Sequence, residues 1–378
     1  MLVEETFSGA KPPMTQIRMR GGGYYSAHTT GPRRVIDRTL PLILEALDAL
    51  DPASSRTIFA IADFGAADGG TSIGLFRTLL TELRAKAPDR PITLTHTDLP
   101  YNDFSTLFRL VHGLLPGREH DGLQDFRGVF SFASGTSFHD QIFPDATLSL
   151  GFSTNAMHWL SRLPGTLVDH VHVVRASGAV RDAFAAQAAA DWEAILLHRA
   201  RELVPGGQLV FANFGIDEAG RYRGATVGRN MHETFARHWR ALYEDGTITS
   251  DELRRATFVQ YYRTIAEFRS PFDDPTSAVS RAGLVLEHCS TVLTPCPHAA
   301  RFAEGGQDAA AFAREYVASL RSWSESTFLD ALEPGRPQTE REAIIDRFYA
   351  AYEADVTAAP EEHRRDYVHC FMRVTKAA

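Results

Sequence analysis

Short apolar runs closed by turn signals alternate with stretches of helical period over the first 215 residues. Ile58–Asp63, Ile92–Thr97, Val129–Ala133, Leu148–Phe152 and Gln208–Phe214 read as strands. Ile73–Lys86, Asp103–Gly113 and Asp182–Leu203 carry the helical pattern between them. The last helix runs into Val204-Pro205-Gly206-Gly207, a sharp stop before a strand. Alternation of this kind builds a mostly parallel sheet covered by helices on both faces. Beyond Phe214 the rhythm changes. Residues 216–282 are mainly helical, with Met231–Tyr243 strongly amphipathic, and helical patterns return over 308–358. Leu284–Leu293 and Tyr367–Thr375 read as two late strands, seven in all. The pattern therefore predicts an α/β domain from residues 1–215 plus about 284–295 and 366–378, with a lid segment at its N-terminal end. About 216–283 and 296–365 form an inserted helical cap. Insertions at the carboxyl edge of such a sheet commonly roof the ligand crevice.

Composition narrows the class. The chain has 378 residues, enough to bury a full core, and a formal net charge of −8. That balance argues against a nucleic-acid partner, which would want a basic stripe. No run of eighteen apolar residues exists, so no membrane association is expected. The opening MLVEETFSGAKPP has no apolar signal core. Cys289, Cys296 and Cys370 are odd in number and lack CxxC spacing, which argues against a disulfide framework or a zinc site and suits a cytoplasmic protein. His170 and His172 straddle an alternating segment without a carboxylate at matching spacing. They are expected to face solvent, and no metal site is expected. A homodimer is compatible with the sequence.

Candidate chemistry starts at Ile61-Ala62-Asp63-Phe64-Gly65-Ala66-Ala67-Asp68-Gly69-Gly70. This is a buried strand ending in an acid and a glycine-rich turn before a helix. Gly65 lets the backbone turn tightly and approach a ligand. Asp63 can set the loop by hydrogen bonds. The next strand ends at Asp98, where a carboxylate can accept both hydroxyls of a ribose. A dinucleotide needs G-x-G-x-x-G, because pyrophosphate rests on backbone amides. Here the turn is G-x-x-x-G-G with Asp68 inside it, which would repel pyrophosphate and suits the ammonium and sulfonium of S-adenosylmethionine. Asp68 is expected either to meet that ammonium or to cap the following helix.

Several motifs then fall in the order found in one family. Met19-Arg20-Gly21-Gly22 with Tyr25, then Ile61-Ala62-Asp63-Phe64-Gly65, then Asp98-Leu99-Pro100-Tyr101-Asn102-Asp103-Phe104 come first. Ser137-Phe138 with Phe143-Pro144 and His158-Trp159-Leu160-Ser161-Arg162-Leu163-Pro164 complete the series. The chain resembles the SABATH methyltransferases, which transfer methyl from S-adenosylmethionine to small carboxylic acids or ring nitrogens. The resemblance implies a Rossmann-like class I methyltransferase sheet with a helical cap, S-adenosylmethionine as cofactor, S-adenosylhomocysteine as product, and a small-molecule acceptor of specialised metabolism. It implies cofactor contacts from Tyr25, Thr29, Asp63, Gly65, Asp68, Asp98, Leu99, Ser137, Phe138 and Ser153. Trp159 would hydrogen-bond the acceptor carboxylate and His158 would line the same pocket. Arg20, Tyr25, Asn155, Tyr261 and Trp323 are the further acceptor-site candidates. Departures concentrate at the acceptor end. The glutamine with which the family commonly grips a carboxylate falls on Pro32, and a frequent tyrosine four before the tryptophan is Asn155.

The chemistry these residues permit is an in-line displacement, which needs the nucleophile about 3 Å from the methyl carbon. A carboxylic acid, with a pKa of roughly 4, is already ionised at neutral pH and needs no general base. The enzyme's task is then to position an anion and exclude water. The sequence points to methyl-ester formation on a small, largely apolar acid. N- or O-methylation of a heterocycle or hydroxyl on the same fold is the alternative.

Overall fold

The computed structural model describes residues 18–54, 57–224 and 229–377. The opening MLVEETFSGAKPP lies outside them. Eight strands form one sheet: β1 (Phe59–Phe64), β2 (Ile92–Thr97), β3 (Val129–Ser134), β4 (Leu148–Thr154), β5 (Leu203–Ile216), β6 (Arg263–Thr264), β7 (Leu284–Thr294) and β8 (Tyr367–Lys376). Their order is β3-β2-β1-β4-β5-β8-β7, with the short β6 beside the end of β5. β1 to β5 run parallel, and β8 enters antiparallel between β5 and β7. The order reverses between β1 and β4, so the loops leaving these strands diverge and open a crevice at the carboxyl edge.

The expected strands are all present, with two differences. β5 begins at Leu203, inside the segment read as a turn. Its pairing with β4 jumps from Leu148↔Leu203 to Leu150↔Gln208, so Pro205-Gly206-Gly207 is absorbed as a bulge, not a break. β6 has two residues, too few to show a period. The helix before β5 spans Gly178–Glu202, four residues earlier at its start than expected.

Helices Thr30–Ala49 and Ile73–Lys86 bury Ile43, Leu47, Phe76 and Leu79 against one face of the sheet. The helix Gly178–Glu202 covers the other with Trp192, Ile195 and Leu196. Helices Met231–Glu244, Ala309–Ala331 and Gln338–Ala358 build a separate aromatic core over the sheet edge, in which Phe328 and Phe348 lie 4.4 Å apart between centroids, with Phe235 and Trp239 beside them. Among the described residues, no helix is long and apolar enough to cross a membrane.

One buried ion pair matters for the site. Arg199 and Glu202 meet at 2.6 Å, both side chains fully buried. Arg199 also donates to the carbonyls of Phe138 and Asp140, and Glu202 accepts from the Ile142 and Phe143 amides. With every polar group partnered, the pair fixes the loop that leaves β3.

Candidate active site

The loop after β1 is shaped by close approach. Gly65 has φ +88°, and a Cβ there would lie 2.3 Å from that of Ala156. Only glycine lets the β1 and β4 loops come this near. The Gly65 and Ala66 amides donate to the Thr97 carbonyl at the end of β2. Asp98, one residue on, accepts from the Ala67 and Leu99 amides at 2.7 Å each. Burial pushes its carboxyl above the ordinary range.

The N-terminal segment folds across this loop. Asp68 accepts from the Ser26 amide at 3.0 Å and from Gly70 at 3.2 Å. Asp103 accepts from Gly22, and the Arg20 amide donates to the Ser322 carbonyl on the cap. Residues 19–32 therefore bridge the glycine loop and the cap.

Two adjoining cavities lie beneath. The strand-edge cavity, of about 390 Å³, is lined by Gly65, Ala67, Asp98, Leu99, Ser137 and Phe138, and continues past His139 to Asp191. This is within the roughly 300–1,000 Å³ of small-molecule sites. The cap cavity, of about 100 Å³, is lined by His158, Phe214, Gln260, Tyr262, Trp323 and His369, among others. Met19, Tyr25, Asn155 and Trp159 line both, so they form the junction. Trp159 is 8% exposed, and its indole N–H meets no acceptor among the described residues. Asn155 holds φ +58°, a left-handed turn that ends β4 and directs the chain under the junction.

The sequence-derived candidates divide accordingly. Gly65, Asp98, Leu99, Ser137 and Phe138 come together in the strand-edge cavity, and Tyr25, Asn155 and Trp159 at the junction. Thr29, His158 and Trp323 line the cap cavity, so Thr29 lies on the cap side of the junction. Five candidates line neither. Asp63 is buried and accepts from Ser72 Oγ at 2.9 Å. Ser153 donates to the Phe64 carbonyl at 2.7 Å. Both brace the loop from behind. Asp68 is consumed by two backbone amides, and Ser72, not Asp68, occupies the cap position of the next helix. Arg20 turns away to pair with Glu325 at 3.3 Å and stack on Tyr24. Tyr261 points outward from the cavities and donates to Glu267, while its neighbour Tyr262 faces the cap cavity. His172, expected at the surface, is fully buried and stacked 4.2 Å from His232, because its segment runs under the cap.

Sequence reasoning missed Gln260, Thr294, Tyr367 and His369, all on the wall of the cap cavity, and of the Tyr261-Tyr262 pair it carried forward the member that faces away. It also missed Arg365, which lines this cavity with its guanidinium over the Tyr316 ring. The Tyr261-Tyr262 pair was the one usable signal.

The histidines around the cap cavity are neutral. Burial lowers His158, His232 and His369 to a pKa of about 3, helped by His369 and Arg263 for His158, by Arg223 for His232 and by Arg38 for His369. Unfolded, each titrates near 6.5. Below pH 6.5 the unfolded chain binds protons that the folded one refuses, so stability falls as pH falls from 6.5 toward 3, by about 1.4 kcal/mol per unit per histidine. Asp63, raised by burial to about 7, opposes this with a single carboxyl over part of the window. The melting temperature is thus expected to drop by several degrees between pH 7.5 and pH 5.5. A flat profile in calorimetry over that range would contradict the buried, neutral state of the three rings.

Comparison with known proteins adds an independent line. A family model described as SAM dependent carboxyl methyltransferase matches residues 14–377. Indole-3-acetate O-methyltransferase 1 of Oryza sativa subsp. japonica is 28% identical over 74% of this chain and 77% of its own. Salicylate carboxymethyltransferase of Clarkia breweri is 23% identical over 95% and 98%. Fungal methyltransferases are matched over only about half of their length. The solved structure of loganic acid methyltransferase with SAH superposes with a TM-score of 0.72 at 20% identity, covering 96% of this chain and 99% of that one. The last is a likeness of fold.

Proposed function

The chain belongs to the SAM-dependent carboxyl methyltransferase family, and from that premise we propose how its two cavities divide the reaction. The protein is a methyltransferase that uses S-adenosylmethionine and acts on the carboxylate of a small organic acid. The strand-edge cavity would take the nucleoside, with Asp98 accepting from the ribose hydroxyls and Leu99 and Phe138 packing on the base. The residues fit such a group: a loop that tolerates no Cβ at Gly65 and a carboxylate already fixed by two amides. Bound there, the cofactor supplies an electrophilic methyl carbon. The chain's own residues then bring an anion to it at the junction.

The observation that carries this reading is the junction itself. Trp159 closes both cavities, and its N–H can only donate, which suits an anionic oxygen. Tyr25 comes down from the folded-over N-terminal segment and shuts the junction from above. His158, held neutral, offers one N–H at most and adds no charge. Arg365 supplies positive potential at the cavity wall. No side chain has to remove a proton from a group that is already ionised. A reducing cytoplasm is the setting we assign, since all three cysteines are free thiols.

The test is product chemistry. With methyl-labelled S-adenosylmethionine and a panel of small acids, label is expected in a neutral product that mild base releases as methanol. Label that survives base would point instead to N-methylation or an ether, and would overturn the carboxyl assignment.

A further inference from the structure

The cap cavity has a charged wall with nothing in the protein to balance it. Arg365 lines the cavity two residues before β8, half-buried, with its guanidinium 4.6 Å over the Tyr316 ring. Among the described residues it makes no ion pair and donates no hydrogen bond. The acids of the neighbouring segments are already engaged. Asp366 accepts from the Cys296 amide at 2.6 Å, and Glu362 pairs with Arg229 at 2.9 Å. Asp355 pairs with Arg229 and Arg237, and Glu315 with Arg301. The potential on this side is positive as a result: burial lowers His298 to a pKa of about 3, and Arg365, Arg301 and Arg34 push the same way. The backbone that carries Arg365 is fixed, since the Gly224 amide donates to the Asp366 carbonyl at 3.0 Å. A guanidinium cannot shed its charge in a protein, and its planar fork matches a carboxylate.

This cation is not placed for the reacting carboxylate. Trp159 reaches both cavities, whereas Arg365 reaches the cap cavity alone and stacks on Tyr316 of the cap core. A carboxylate at the junction and an anion on Arg365 are therefore two different groups. We propose that Arg365 is a second anion site, and that the preferred acceptor is a short dicarboxylic acid whose one carboxylate is esterified beside Trp159 while the other pairs with Arg365. This rests on the carboxyl-methyl-transfer reading and names the acid class within it. It departs from the largely apolar acid that the sequence suggests. Phe214, Tyr262 and Trp323 cover the stretch of cavity between the two ends and suit the apolar middle of such a molecule. The cavity holds only about 100 Å³, so that middle is short. The near oxygen of the acid takes the methyl as the sulfur–methyl bond breaks with its electron pair left on sulfur, and no proton moves. The product is a half-ester that keeps one negative charge. A second transfer would put the neutral ester on Arg365, so the reaction is expected to stop at one methyl.

Binding to the enzyme saturated with S-adenosylhomocysteine tests this without turnover. The straight-chain dicarboxylic acids from succinic to suberic acid are each compared, by calorimetry at neutral pH, with the monocarboxylic acid of the same chain length. At least one diacid is expected to bind about tenfold tighter or better, as a charge-assisted pair allows. Without a waiting cation the order would be the reverse, because taking a second carboxylate out of water is costly. Arg365→Gln should bring the ratio to one or below, and Arg365→Lys should keep part of it. Affinity for S-adenosylhomocysteine, measured in parallel, shows that each variant is folded. The proposal is overturned if every monoacid equals or exceeds its diacid, or if Arg365→Gln keeps the full ratio. A diacid preference in binding with no base-labile label in the product assay would sink the methyl-ester reading and leave the second anion site standing. Base-labile label on monoacids with no diacid preference would do the opposite.

Discussion

Asp98→Ala is expected to weaken S-adenosylmethionine binding by about a hundredfold or more. The carboxylate lines the strand-edge cavity at the tip of β2, and its two oxygens are held in place by the Ala67 and Leu99 amides. Each hydrogen bond to a charged acceptor contributes about 1.5–3 kcal/mol, and a ribose brings two hydroxyls. Alanine also strands two amides of the glycine loop, so part of the loss would come through the loop's shape. Asp98→Asn separates the two effects. It keeps one acceptor oxygen for the loop and loses the charge, and should cost about tenfold. Calorimetric titration with S-adenosylmethionine reads both. An unchanged dissociation constant in Asp98→Ala would mean that the nucleoside does not lie where this carboxylate is.

The strand-edge half of the candidate site was legible in the sequence because its signals are local. A strand, a glycine where no Cβ fits and a second strand tip all lie within about forty residues, and the period of each element says which end faces the crevice. The cap half was not. Gln260, Thr294 and His369 converge from the segment before β6, the end of β7 and the start of β8. Nothing in any of those segments marks which of two alternating faces will meet a cavity. Tyr261 and Tyr262 show the ambiguity: adjacent residues in extended chain point to opposite sides, and β6 is too short to fix the phase. Arg20 and Asp68 line neither cavity for a different reason. Their charges pair with groups that only folding brings near, Glu325 on the cap for one and the Ser26 amide of the folded-over segment for the other. Asp68 thereby acts as a latch between that segment and the glycine loop. The N-terminal segment thus reaches the site through backbone contacts as much as through side chains.

Trp159→Phe should lower kcat/KM by about a hundredfold or more while the dissociation constant for S-adenosylmethionine stays within a factor of about two. Phenylalanine keeps most of the ring that closes the junction and removes only the N–H, which has no other partner among the described residues. The loss of one bond to a carboxylate is worth about 1.5–3 kcal/mol. The negative charge on that carboxylate falls as the ester forms, so the bond is stronger before transfer than during it. Its electrostatic contribution should therefore appear mainly in KM. The fall in kcat has another origin. Without the N–H the acid can rotate away from the line through sulfur and methyl, and a misplacement of about 1 Å can cost a hundredfold. The two parameters should move together, KM up and kcat down. A variant with normal kcat and raised KM would make Trp159 a simple anchor, and one with both unchanged would remove it from the site. The outcome also bears on His158. Buried and neutral beside the indole, it can turn one N–H toward the same oxygen, and residual turnover in Trp159→Phe should then vanish in the double variant with His158→Phe.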